Sequence, residues 1–459
     1  MKLQPPTVGP ILGHTTTQQA RIMLRGNDCA PQAGIAAVRY RRKDQADWSP
    51  AHCVALSVEH DFTAVIALGN LQAGAEYQYQ AGWFTLDSPA ALAEFDLRGL
   101  DWSAETFRLR TPSGKPGAKR SYIIGSCRYL PVVKGVAVEA KKSDAIFKAI
   151  NDQQAPIDAV VMVGDQIYAD QTNAALPDTE LHQFLTKHQL AFGQPYIREL
   201  LANNPNYMIL DDHEIEDNWP ARRSEAKAAK LANALKAYEI YQVSHSPIPN
   251  VNGQEVERQV DRYWYQFADG DVEWFVIDAR TQRDLRPDNR LMIDSAQEQA
   301  LLQWLETSKA RVKFVVTSVM LYPDLKNDQD DSWKAFYAQR NRLLEHIRCN
   351  RIRNVIFVTG DVHASMTCEL RHSSSKDFIV HTIVSSPLHC IPMPHAKEDD
   401  FILDQPLTRI GNDEYTPKLS SRVINKDNFA RVTIERDNLS VCFYDREGTI
   451  IQGTDIQLD

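Results

Sequence analysis

Acids, a cysteine, a tyrosine and histidines recur in this chain directly after short apolar runs. Cys127 follows YIIGS, Asp165 follows VVMVG, Asp211, Asp212 and His213 follow MIL, Asp278 follows WFVI, and Asp361 and His363 lie in VIFVTGDVH. Tyr168, three residues beyond Asp165, can fold back over the same point, and Asp361 and His363, two apart, point to one side of an extended segment. Hard oxygen donors joined by imidazole and phenolate suit iron or calcium better than zinc. Glu214, Glu216 and Asp217 crowd the third site, which Asn218, Trp219 and Pro220 close. A solvated acidic loop is the plain alternative there. The apolar strand and the aromatic closure favour a metal, because buried charge must be paired or coordinated.

Cys127 ends its run in GSCR, beside Arg128. A thiolate among carboxylates is harder to ionise unless a cation neutralises them, so a metal-bound thiolate is easier to justify than a free nucleophile. Arg128 is placed to hold a phosphate oxygen through a bidentate contact. In IDARTQR, Asp278, Arg280 and Arg283 are weaker candidates, equally readable as a structural ion pair.

The elements that must position these groups follow from the pattern around them. Continuous runs of β-branched and aliphatic residues are strands covered on both faces, and open α/β sheets gather ligands beyond the carboxyl ends of their strands. Between the runs lie helical stretches: SDAIFKAI (143–150), 222–245, the segment after Asp294, where Ser295 and Glu298 match a capping box, and 331–350. The alternating segments FARVTIE and SVCFYD, joined by RDNL, read as a hairpin at the edge of a second sheet.

Residues 1–115 differ in kind. They alternate like half-buried strands, and LQAGAEYQYQ resembles the corner of fibronectin or immunoglobulin-like modules, with Tyr77 or Tyr79 as its tyrosine. The Pro-, Gly- and Lys-rich segment 111–120 marks the boundary. The expectation is a small all-β sandwich over 1–115 followed by an α/β domain over 116–459.

Composition narrows the function. Of 459 residues 43% are hydrophobic and 24% charged, a globular balance, and the net charge of -9 disfavours a polyanionic nucleic-acid partner. No run of 18 apolar residues suggests a membrane span, and no secretory leader is visible, which points to a cytoplasmic protein. Seven scattered cysteines without a CxxC pair fit reduced thiols.

Taken in order, GSCR, GDQIYAD, DDHEIEDNW, IDARTQR, TGDVHASM and IVSSPL resemble the alkaline phosphatase D (PhoD-like) branch of the metallophosphoesterases across nearly the whole chain. The resemblance implies two mixed β-sheets flanked by helices, an αββα sandwich, behind a fibronectin-like module. It implies Fe(III) held by Cys127, Asp165 and Tyr168, with Asp165 bridging to Ca(II) and Asp212, Asp361 and His363 completing the cluster. A hydroxide formed on the metals would attack the phosphorus of a small phosphoester in line with the leaving alkoxide, Arg128 holding an oxygen and His213 donating the proton. Two departures stand out: the twin-arginine leader of exported relatives is absent, and the usual Asn-Asn-Trp reads Asp217, Asn218, Trp219. Loops 171–200, 220–260 and 387–428 are expected to choose the substrate. A non-catalytic metal-binding protein and a hydrolase using Cys127 as nucleophile remain rival readings.

Overall fold

The computed structural model describes residues 1–170, 178–219, 225–328, 330–391 and 393–459, so parts of the expected substrate loops and Pro220 lie outside the described residues. Two large sheets dominate the chain beyond residue 119. In the first, Asn206–Ile209, Ala159–Val163 and Arg120–Gly125 run parallel, and Asn428–Glu435, Asn438–Asp445 and Ile450–Gln457 continue antiparallel. The second has eight strands, of which Val272–Val276, Val312–Val316, Val355–Thr359 and Ile379–Val384 form its parallel centre.

Strand periodicity sends alternate residues to opposite faces, and the core divides accordingly. Tyr122, Ile124, Val161 and Val163 meet Trp274, Val276, Phe314 and Val358 between the sheets. Their neighbours Ile123, Val160 and Met162 face outward, onto helices Ala140–Asn151 and Pro195–Asn203. On the far side Phe275, Val315 and Phe357 meet Leu301 and Leu305 of helix Ser295–Thr307 and Leu343, Leu344 and Ile347 of helix Tyr337–Cys349. The result is a mixed α/β arrangement layered helix, sheet, sheet, helix.

Two details differ from the expectation. Asp294, not Ser295, caps its helix, its carboxylate accepting the N–H of Gln297 at 2.7 Å, while Glu298 is drawn away to Arg342. The hairpin after residue 428 is no edge: Asn428–Glu435 inserts beside Arg120–Gly125 in the sheet that carries Cys127. Its residues 428–432 are buried without alternation, as an interior strand requires.

Before residue 111 the chain forms strands and short 3-10 turns only. Val8–Thr15, Ala20–Arg25 and Thr63–Leu68 build one sheet, joined from afar by a hairpin at Val251–Val256, and His52–Ala55, Ala33–Arg42, Glu76–Leu86 and Phe107–Arg110 build another. Both contribute to one apolar cluster, including Leu12, Ile66, Val38 and Leu109. The Tyr77 hydroxyl accepts the N–H of Gln72 at 2.8 Å, a tyrosine-corner bond, whereas Tyr79 donates to the carbonyl of Ala202 at 2.6 Å and ties the two parts together. No helix among the described residues is long and apolar enough to cross a membrane.

Candidate metal centre

The parallel strands of both sheets end on one side, and the groups they deliver meet there. Asp165 leaves Ala159–Val163 through Gly164, whose φ of +89° and whose closeness to Asp211 leave no room for a side chain: an added Cβ would lie 2.5 Å from the Cβ of Asp211. Gly360, before Asp361, is equally enclosed, with the Ser126 hydroxyl 2.4 Å from where its Cβ would stand. Both glycines therefore let two strand ends touch.

Cys127, Asp165, Asp361 and His363 all adopt left-handed backbone, with φ of 56°, 56°, 70° and 49°. Each such non-glycine residue costs about 1–3 kcal/mol, which the surrounding packing must offset. Glu214 is one such support. Its carboxylate accepts the N–H groups of Asp165 at 3.1 Å, Gln166 at 2.7 Å and Asp211 at 2.8 Å, clamping two strand ends from beneath. Leaving any of these buried donors unpaired would cost roughly 1–3 kcal/mol.

Ligand atoms of Asp165, Asp211, Asp212 and Asp361 all lie within 4.8 Å of one another, and those of Asp165, Asp212 and His213 do likewise. Cys127 Sγ stands 3.3 Å from Asp165 Oδ2, and the Tyr168 hydroxyl 3.5 Å from the same oxygen and 3.4 Å from His363 Nε2. The structure thus brings together Cys127, Asp165, Tyr168, Asp212, His213, Asp361 and His363. Arg128 is not among them. Its guanidinium turns the opposite way, donating to the carbonyl of Ala191 at 2.5 Å, 3.8 Å from Asp144 and over the ring of Phe147. The physical reason is the turn after strand Arg120–Gly125: the left-handed backbone at Cys127 breaks the extended course, and Arg128 bridges His389 with its side chain aimed at helix Ala140–Asn151 behind the sheet.

Arg280 takes a central place instead. Fully buried, it pairs with Asp211 and Asp331 and lies 3.4 Å from Asp212. Arg283 pairs with Asp331 at 2.8 Å and lines a cavity of about 480 Å³ that also opens on Asp212, His213, Asp361 and His363. Asp278, by contrast, accepts from Thr281 and the backbone of Arg280, shaping the turn without touching the cluster.

A cation fits these residues. Asp211 Oδ2 and Asp212 Oδ1 are buried and accept no hydrogen bond among the described residues. Burial, followed by neighbouring negative charge, drives the carboxyls of Asp165 and Asp361 well above their usual range. Burial pushes the Cys127 thiol up to about 12, with the charge of Asp361 adding to it, and raises the Tyr168 phenol strongly. Such groups ionise together only when positive charge is supplied.

His213 is set apart by its partners. Its Nδ1 lies 2.9 Å from Asp170 Oδ1, and its ring stacks on Tyr168 at 4.1 Å. Burial opposes its charge, but Asp212 and the hydrogen-bonded Asp170 outweigh it and carry the imidazole up to about 9. Sequence reasoning left Asp170 without a role, although it closes the quoted block GDQIYAD.

A family model described as PhoD-like phosphatase matches residues 138–441. Alkaline phosphatase D of Bacillus subtilis (strain 168) is 25% identical over 260 residues, which are 48% of this chain and 44% of that protein, so the match spans less than half of the relative's length. A solved structure titled "Structure of PhoD" superposes with a TM-score of 0.74 at 17% identity, covering 99% of this chain and 91% of that one, a likeness of fold. With the matched stretch reaching from the first helix of the α/β layers into the hairpin inserted beside Arg120–Gly125, the chain belongs to the PhoD-like phosphatase family.

Proposed function

We propose that this chain hydrolyses small phosphoesters at a cation cluster held by Asp165, Asp212, Asp361 and His363, with Cys127 and Tyr168 binding Fe(III) and the carboxylates sharing Ca(II). The observation that carries the reading is the set of four carboxylates converging within 4.8 Å of one another, two of them with buried oxygens that accept no hydrogen bond among the described residues, at the wall of a cavity. Cations there supply Lewis acidity toward a phosphoester oxygen and lower the pKa of water.

The chain's own groups do the rest. His213, held by Asp170 through Nδ1, donates its Nε2 proton to the leaving alkoxide. Arg283, not Arg128, is the arginine at the cavity wall: its Nη1 is held by Asp331, and its positive charge favours a phosphoester bound beside Asp212 and Asp361. The Cys127 thiol, pushed up to about 12, makes a poor free nucleophile. The division at residue 115 is part of the same proposal, the first two sheets forming a module that packs on the α/β layers.

Incubation with p-nitrophenyl phosphate and bis-p-nitrophenyl phosphate tests the reading. Hydrolysis that chelator abolishes and iron with calcium restores supports it. Equal rates with and without chelator, or inactivation by thiol alkylation regardless of metal, would exclude it.

Two substitutions probe individual roles. Asp170→Asn removes the charge that stabilises protonated His213, so its pKa falls and the alkaline limb of kcat/KM, where the acid is lost, moves to lower pH. An unmoved limb would deny His213 the acid role. Tyr168→Phe removes the phenolate, and the visible absorption expected of a ferric phenolate should bleach while the calcium content stays. A preparation that is colourless, iron-free and fully active would remove iron from the site.

A further inference from the structure

Beside the acidic cluster, and sharing no residue with it, Cys390, His395 and Asp427 also converge, with ligand atoms within 4.8 Å of one another. Two segments place them, the loop after Ile379–Val384 and the approach to Asn428–Glu435. His389 is stitched along the Cys127 strand end, its N–H donating to the carbonyl of Cys127 at 3.1 Å and its carbonyl accepting from Tyr129 at 2.6 Å, which fixes Cys390 next to it. Asp427 immediately precedes the inserted strand Asn428–Glu435. His395 lies on the same loop as Cys390.

Two of the spacings match those of a coordination polyhedron; Sγ also lies 3.9 Å from His395 Nδ1, beside the ring, so coordination requires the partly exposed imidazole to rotate until Nε2 faces the thiol. Cys390 Sγ lies 3.5 Å from His395 Nε2, which lies 3.4 Å from Asp427 Oδ1. A tetrahedral zinc ion, with bonds of about 2.3 Å to sulfur and about 2.0–2.2 Å to nitrogen and oxygen, sets such ligands about 3.6 Å and 3.4 Å apart. The other carboxylate oxygen, Oδ2, is held by His389 Nδ1 at 2.7 Å, the outer-shell contact that orients a metal-ligating carboxylate. Cys390 is fully buried and Asp427 nearly so, while the His395 side chain keeps 18% exposure and so leaves an entry path.

We propose that Cys390, His395 and Asp427 form a second metal site, for a zinc-class divalent ion, with a fourth position open to water. Binding turns the Cys390 thiol into a thiolate and releases its proton to solvent. The ion would fasten the loop that buttresses the first centre: the Pro394 carbonyl lies 3.1 Å from His363 Nδ1, and the Ala396 N–H donates to the His363 carbonyl at 3.3 Å. Its role is therefore to position His363.

Cobalt(II) titration of the full chain tests this, read by the near-ultraviolet thiolate-to-cobalt absorption. In the Cys127→Ser chain, which lacks the thiol of the first centre, one equivalent of cobalt should produce the band and zinc should displace it. The band should vanish when Cys390→Ser is added. His395→Ala, at a partly exposed position that leaves the core intact, should weaken cobalt binding by more than about tenfold, the lower range for loss of an outer-shell contact. No band in Cys127→Ser, a band that survives Cys390→Ser, or unchanged affinity in His395→Ala would each overturn the site. Should Cys390→Ser fail to fold, the His395→Ala titration decides alone.

Discussion

Asp165→Asn should abolish turnover and leave the fold standing. Asp165 touches both halves of the centre: Oδ2 faces Cys127 and Tyr168, and Oδ1 accepts the N–H of His213 at 3.3 Å. Asparagine preserves the shape and one acceptor oxygen but removes the charge that the proposed cations would share. Altering an outer-shell partner already costs about 10–100-fold in metal affinity or activity, so loss of this carboxylate should exceed the upper end of that range. The metal-free protein should respond in the opposite sense. Burial and nearby charge make the Asp165 carboxylate unfavourable without cations, so the neutral amide should leave the melting temperature unchanged or raise it. Steady-state kinetics, elemental analysis and thermal melting of the metal-free chain check the three parts. Hydrolysis within tenfold of the parent would refute the assignment.

Arg280→Met should be the most destabilising single change at the site. The guanidinium compensates Asp211, Asp212 and Asp331, all from within the interior. Breaking a buried ion pair from one side costs about 3–5 kcal/mol, a large share of the roughly 5–15 kcal/mol that holds a domain folded. Lysine cannot replace it, since one ammonium cannot reproduce a planar fork gripping several carboxylates. The pH dependence has a definite sign. Burial opposes the charge of Asp331, but Arg280 and then Arg283 outweigh it and hold the carboxyl well below its usual range. A depressed acid contributes stability above its unfolded pKa and loses it as pH falls below that value. The gap in denaturant midpoint between parent and Arg280→Met should therefore be wide at neutral pH and narrow in acid. A constant gap would mean that packing, not charge, is what Arg280 provides.

The centre was legible because fully buried parallel strands leave continuous apolar runs, and their ends are where polar groups become conspicuous. Arg128 misled for a reason equally physical: the left-handed turn at Cys127, beyond the strand end, sends neighbouring side chains to different places, and sequence adjacency carries no mark of such a turn. Arg280 was readable as an ion-pair residue, but its three partners at 211, 212 and 331 are united by the packing of two sheets, which no spacing encodes. The same holds for Cys390, His395 and Asp427, spread over loops without periodicity. The hairpin after 428 was recognisable as a hairpin. Its place in the sheet was not, since a strand carries no mark of its distant neighbour.

That placement governs how the molecule comes into being. Arg431 pairs with Ile123, so the segment leading to Cys127 waits with one flank unsatisfied while almost all of the remaining chain is synthesised. Ribosomes therefore release the pocket's foundation early and its keystone late, and the half-built sheet, with its strand edge unpaired, is the stage most exposed to aggregation.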